Sequence, residues 1–145
     1  MDHVVYVNAR ARELEKLLAG EKSMIVRGAA GRKLPHGRVN SGDRLFFIRN
    51  NGDGQVRASA LVSEVLHSEK LAEDQSRDLL KTNQPKLALT PEQVKRWAGK
   101  RYLVLVEVKD VQAAGPFPID RSKYGNMDDW LLVEKIENVK AYNGG

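Results

Sequence analysis

The chain contains no cysteine, and only 6% of its 145 residues are aromatic. Without cysteine it can form no disulfide, no thiolate metal site and no cysteine nucleophile, which fits a reducing compartment. Its longest apolar runs, such as residues 102–106, are far shorter than the roughly 20 residues that a membrane helix needs. Asp2 and His3 stand where a signal peptide carries a basic region followed by an apolar one. The sequence therefore predicts a cytoplasmic protein that is not exported and does not contact a membrane.

Metal ligands are also sparse in the sequence. The three histidines, His3, His36 and His67, are far apart, and they form no HxxxH motif and have no neighbouring pair of acids. His36 follows a proline in a basic segment, where it either contacts a ligand or is exposed without a role. We therefore predict neither a metal site nor a cofactor.

What the sequence does contain is an ordinary globular composition with a local excess of positive charge. Hydrophobic residues make up 41% and charged residues 30% of the chain, which predicts one folded domain over residues 1–145. The net charge is +5. Residues 22–49 hold seven Lys or Arg and one Asp, whereas the rest of the chain holds 17 basic and 18 acidic residues. The whole excess of positive charge therefore lies in one segment.

Hydrophobic periodicity predicts an α+β protein. Asn8 is a candidate N-cap for the first helix, and the run from Thr90 to Gln93 has the composition of a capping box with proline at the first helical position. Such short, half-buried strands with helices between them are typical of a small β-barrel of about five or six strands with two to four flanking helices. The predicted strands are residues 3–7, 23–27, 45–48, 56–65, 101–111 and 130–139, and the predicted helices are residues 9–19, 68–82 and 90–97.

The basic segment predicts a cleft that binds an anion such as phosphate. Lys22 and Arg27 would supply charge, and the backbone at Gly28 and Gly31 would allow a ligand to approach closely. The segment is not a nucleotide-binding P-loop, because no Gly-Lys-Ser/Thr follows at the required spacing. The alternative is that these cations are solvated surface charges paired with acids elsewhere.

Further cations and aromatic residues extend this prediction to nucleic acid. Aromatic rings near a basic surface can stack on bases. Phe46 and Phe47 point to opposite faces of a strand, so at most one of them can face a cleft, and Tyr124 and Trp130, which flank a loop rich in proline and glycine, are the better candidates. The predicted nucleic-acid-binding residues are Lys22, Arg27, Arg32, Lys33, Arg38, Tyr124 and Trp130.

Glu64, on the strand predicted at residues 56–65, is the acid expected to meet Lys22 across the sheet. Lys22 and Glu64 are therefore the candidate catalytic pair, with Lys22 as a general base or an electrostatic catalyst. The alternative for Glu64 is an outward-facing residue in a surface salt bridge.

Two motifs resemble those of the ASCH domain family. Gly20, Lys22 and Arg27 match its G-x-K-x-x-x-x-R pattern, and Gly42-Asp43 opens the strand that follows. Residues 90–108 also look like the late helix and strand of the family, so that the likeness spans about residues 3–139. The resemblance implies a PUA-like β-barrel related to modules that bind RNA or modified bases, with a binding cleft beside the G-x-K element.

The resemblance also implies possible chemistry. Some family members are amidohydrolases that act on N4-acetylcytidine through a Lys, a Thr three residues later and a more distant Glu, and others have been described as ribonucleases. Here Ile25 occupies the Thr position, Ser23 is not an obvious substitute, and either Glu64 or Glu73 would be the acid. We therefore expect a protein that binds RNA, single-stranded nucleic acid or a modified nucleotide. A hydrolase of RNA or acylated nucleosides is the first alternative, and a protein-interaction module is the second.

Overall fold

The computed structural model describes residues 1–141, so residues 142–145 of the expected domain lie outside the described part. Within it the chain forms six strands and three α-helices, followed by a short 3-10 helix at Ile136–Asn138. The strands are β1 (Asp2–Val7), β2 (Met24–Ala29), β3 (Arg44–Arg49), β4 (Gln55–His67), β5 (Tyr102–Pro118) and β6 (Trp130–Glu134), and the helices are α1 (Glu13–Ala19), α2 (Glu73–Leu87) and α3 (Pro91–Trp97).

All six strands belong to one sheet, in the order β2-β5-β4-β3-β1-β6. β1 runs parallel to β3, and the other neighbouring pairs are antiparallel. The long strands β4 and β5 shift register at three points along their pairing. Each shift bends and twists the strands, so the sheet curls into a half-barrel. This α+β half-barrel with three helices confirms the predicted fold class.

The sheet buries side chains on both of its faces. Ile25 and Phe47 lie in the central cluster, whereas Val26 packs with Leu80 of α2 and Phe46 belongs to a third cluster near the 3-10 helix. Successive strand residues point to opposite faces, so two covered faces make both phenylalanines core residues. Neither phenylalanine is therefore available to a cleft.

Both α1 and α2 begin later than their hydrophobic periodicity predicts. Asn8 does not cap a helix that starts at residue 9; its Oδ1 accepts a hydrogen bond from Ala11 N at 2.9 Å and closes a turn. Arg12 is left-handed with a φ of 58°, and α1 starts after it. α2 starts at Glu73 and continues through Pro85 to Leu87, whose side chain is buried against the sheet.

The capping box predicted at the start of α3 is confirmed. Gln93 N donates to Thr90 Oγ1 at 3.3 Å, and Thr90 N donates to Gln93 Oε1 at 3.0 Å. The ends of the last two strands were predicted wrongly: β5 continues to Pro118, and β6 ends at Glu134, where a left-handed φ of 65° stops it. None of the helices within residues 1–141 has the length and apolar character to cross a membrane.

Candidate nucleic-acid interface

A cleft of about 110 Å³ opens where the ends of β1 and β2 meet α1 and α3. Tyr6 lies in β1, Arg27 in β2, Trp97 at the end of α3, and Asp129 directly before β6. The elements that supply these side chains are far apart in the sequence and adjacent in the fold. The remaining residues that line the cleft are Asn8, Glu13, Val26, Asn50, Leu89, Gln93 and Arg96.

Arg27 forms the centre of this site. It lies two residues after Ile25 on the same face of β2, so its side chain points to the inner side of the sheet and is only 8% exposed. Its Nη1 donates to the carbonyl of Val26 at 2.9 Å, and its Nη2 donates to the carbonyl of Tyr6 at 2.6 Å. Asp129 Oδ2 lies 3.2 Å from Nε. The guanidinium is therefore held in place before any ligand arrives.

Two indole rings flank the same guanidinium. The Cζ atom of Arg27 lies 5.7 Å from the ring centroid of Trp130 and 6.0 Å from that of Trp97, within the range of cation–π attraction. Trp130 is only 1% exposed and lies behind Arg27, so it supports the cleft and offers no open stacking face. Trp97 lines the cleft itself.

Lys22 lies behind the cleft wall and not on its surface. Its side chain has no exposed area, and Nζ lies 3.2 Å from Glu13 Oε2 and donates to the carbonyl of Leu87 at the end of α2. The other carboxylate oxygen of Glu13 accepts from Asn8 N at 2.8 Å. Burial lowers the pKa of Lys22, and the Glu13 carboxylate opposes part of that effect. Lys22 thus joins α1 to α2.

The expected contact between Lys22 and Glu64 is not formed. Glu64 is exposed on β4 and lines a different surface hollow with Met24 and Lys86. Glu13 takes its place because α1 packs directly over the turn that carries Lys22, with Lys22 N donating to Lys16 O at 3.2 Å. No short-range pattern in the sequence connects residues 13 and 22.

The basic loop, residues 30–43, is held against β4 by two histidines. His36 Nε2 lies 2.9 Å from the carbonyl of Ser68, and His67 lies 2.9 Å from both Gly37 N and the carbonyl of Val39. Because Gly37 N donates to His67 Nδ1, Nε2 of His67 must donate to Val39. His36 therefore has a structural role, which the sequence left open.

The loop presents three exposed cations, Arg32, Lys33 and Arg38. Arg32 forms a 3.3 Å ion pair with Glu69 in which both side chains are largely exposed. Lys33 and Arg27 line one narrow hollow beside the cleft, so the loop and the cleft are continuous through Arg27. Gly31 is open as predicted, whereas a Cβ on Gly28 would lie 2.8 Å from Leu103 Cδ2; Gly28 therefore serves packing.

The predicted aromatic residues are replaced by two others. Tyr124 lies in the cluster near the 3-10 helix, and its hydroxyl donates to the carbonyl of Leu132 at 3.0 Å. The aromatic residues that line the cleft are Tyr6 and Trp97. The adjacent Arg96 and Trp97, at the end of the correctly predicted third helix, were the signal available in the sequence.

Trp130 connects the cleft to a buried histidine. Its Nε1 donates to His3 Nδ1 at 3.0 Å, and His3 Nε2 lies 2.7 Å from Asp43 Oδ2. An indole N–H can only donate, so Nδ1 must accept and Nε2 carries the proton that bonds Asp43. Burial lowers the pKa of His3 despite the neighbouring carboxylate. The neutral ring is thus the form that the fold selects.

This arrangement predicts a loss of stability in weak acid. The unfolded chain binds a proton at His3 near pH 6.5, whereas the folded protein binds it only at lower pH. The stabilisation is present above pH 6.5 and is lost as the pH falls through the lowered pKa. Urea unfolding of wild type and His3→Gln across this range should show a steeper decline for wild type, since glutamine offers a donor and an acceptor but no titration. Parallel pH profiles would contradict the assignment.

The sequence matches no protein-family model and no curated protein. Solved structures that share its fold include three of one ASCH protein. The crystal structure of ASCH from Zymomonas mobilis superimposes with a TM-score of 0.68 at 14% identity, covering 94% of this chain and 90% of that chain. Two mutant proteins of the same ASCH give a TM-score of 0.69, with coverage of 92% and 90% of their chains. Identity at this level establishes the fold alone.

Proposed function

From the fold of ASCH domain proteins, which this chain has, we propose that the protein binds single-stranded RNA, or a nucleotide of it, with the base in the cleft and the phosphates on the basic loop. The observation that carries this proposal is the position of Arg27. Arg27 lines both the cleft and the narrow hollow beside Lys33. One nucleotide can therefore contact both regions.

The charges of the cleft favour a base over a phosphate inside it. Arg27 is paired with Asp129, and Lys22 is enclosed behind Glu13. Glu13 and Asp129 thus offset Lys22 and Arg27, and Arg96, whose Cζ atom lies 4.5 Å from the ring centroid of Trp97, is the remaining cation of the cleft lining. A polar, uncharged ring stacked on the exposed guanidinium of Arg96, which itself lies over Trp97, suits such a site, because unstacked RNA bases bind to aromatic and guanidinium planes.

The phosphates would lie outside, where the free cations are. Lys33 and Arg38 are exposed, and neither has an ion-pair partner within residues 1–141. The exposed pair between Arg32 and Glu69 contributes little and can exchange its partner for a phosphate. Since His36 and His67 hold the loop in place, these cations are presented without a large ordering cost.

The experiment is a titration of a fluorescein-labelled single-stranded RNA of mixed sequence at several salt concentrations. Lys33→Ala/Arg38→Ala is expected to weaken binding and to reduce the slope of log K against log salt by about 1.4, since each phosphate contact contributes about 0.7. Lys109→Ala/Lys135→Ala changes the charge equally at exposed positions outside the loop and should leave the slope nearly unchanged.

Binding that is independent of salt, or equally reduced by both double variants, would contradict the loop assignment. Absence of RNA binding at low salt would contradict the proposed function and favour an acidic protein partner for the loop. Sizing the RNA after incubation tests the ribonuclease alternative, and chromatography of N4-acetylcytidine after incubation tests the amidohydrolase alternative. Lys22, paired with Glu13 and not with Glu64, has no exposed side-chain area through which to contact either substrate.

A further inference from the structure

Three side-chain amides of the cleft each accept a hydrogen bond from a backbone N–H through their oxygen. Asn8 Oδ1 accepts from Ala11 N at 2.9 Å, and Asn50 Oδ1 accepts from Ala9 N at 2.8 Å. Gln93 Oε1 accepts from Thr90 N at 3.0 Å. Because each oxygen is engaged by a backbone N–H, each NH₂ group must point the other way. Within residues 1–141 none of these NH₂ groups has a hydrogen-bond partner.

Gln93 is the most constrained of the three amides. It is only 5% exposed, and the capping box at the start of α3 fixes its side chain. The amide nitrogen itself is not fully enclosed by protein, and without a protein partner it needs a ligand or a water as its acceptor. Because Gln93 lines the cleft, a ligand or a water bound there can accept from it.

Arg27 adds another unused donor. Its Nε is buried and makes no aligned hydrogen bond, although Asp129 Oδ2 lies 3.2 Å away. The side chains of the cleft offer fewer acceptors than donors. One carboxylate oxygen of Glu13 accepts from Asn8 N, and the other pairs with Lys22. The Asp129 side chain is 48% exposed and can accept a further hydrogen bond. The cleft therefore offers several donors and one partly exposed carboxylate, that of Asp129.

Building on the proposed function, we propose that the cleft selects a base whose edge carries two carbonyl oxygens flanking one N–H, as in uracil. The carbonyls would accept from the amide NH₂ groups, and the N–H would donate to Asp129. Cytosine places an exocyclic amino group where uracil has a carbonyl. Its N–H donors would therefore face the NH₂ donors of the cleft. Adenine and guanine also present amino groups.

The test compares rU₈, rC₈, rA₈ and rG₈, each labelled with fluorescein, by fluorescence anisotropy at one salt concentration. We expect rU₈ to bind about tenfold more tightly than rC₈, the effect of one well-made base contact. Gln93→Glu keeps the capping box but turns the NH₂ donor into an acceptor. This variant should therefore remove most of the preference for rU₈.

The matched control is Lys95→Gln, which makes the same charge change at an exposed position of α3. It should weaken rU₈ and rC₈ binding together and leave their ratio unchanged. Equal binding of all four RNAs, or a preference for rC₈, would overturn the uracil assignment while the proposed function stands. Failure of every RNA to bind would remove the proposed function itself.

Discussion

Lys22→Met is expected to lower the free energy of unfolding by about 3–5 kcal/mol, because it leaves the Glu13 carboxylate buried without its cation. The carbonyl of Leu87, at the end of α2, loses its donor at the same time. Methionine fills much of the space of the lysine stem, so the loss reports mainly on charge and hydrogen bonding. Urea unfolding followed by circular dichroism measures it.

The double variant Lys22→Met/Glu13→Gln is the control for that result. It neutralises both groups and keeps the acceptor that Asn8 N requires. Since a neutral pair of similar volume can replace a buried ion pair at little cost, we expect it to regain most of the lost stability. A single variant as stable as wild type would show that Lys22 is not the internal partner of Glu13.

Arg27→Met is expected to weaken binding of single-stranded RNA by roughly 10- to 100-fold, the loss that follows from removing hydrogen bonds to a charged group. Arg27 lines both the cleft and the hollow beside Lys33, so we expect the base and the phosphate contacts to weaken together. Anisotropy titration with the RNA of mixed sequence measures the effect under conditions where circular dichroism shows that the variant is folded.

Arg57→Met is the matched control for Arg27→Met. Arg57 carries the same charge and forms two hydrogen bonds with Asp53, at 2.6 and 3.0 Å, outside the cleft lining. It should change RNA affinity only slightly. If both variants lose affinity to the same extent, net charge governs binding and Arg27 has no special position in the site.

The sequence identified the secondary structure wherever short-range rules decide it. The capping box at Thr90 and the strand segment around Leu45 to Ile48 follow from local chemistry, and the structure confirms both. The helix start at Glu13 was missed because Asn8, five residues before it, closes a turn. The extension of α2 through Pro85 was missed because the burial of Leu87 depends on the sheet beneath it.

The candidate site, too, was predicted only in the features that depend on local sequence. The spacing of Gly20, Lys22 and Arg27 pointed to the region where the structure has a cleft lined by Arg27, but it also suggested a free cationic hollow. The carboxylates that change this interpretation are Glu13 and Asp129, which lie 9 residues before Lys22 and 102 residues after Arg27. Similarly, Trp97 reaches the cleft only because α3 packs on β2, so it was left out of the predicted aromatic residues.

By itself the sequence determined an α+β chain, the confinement of excess positive charge to residues 22–49, and the importance of Lys22 and Arg27 to one region. The tertiary structure decided which groups those cations meet, and therefore which of them remain available to a ligand. The physical reason is that charge count and periodicity are properties of the chain, whereas ion pairing and burial depend on neighbours brought together by sheet order. Trp130 and His3, hydrogen-bonded across 127 positions of sequence, depend entirely on that order.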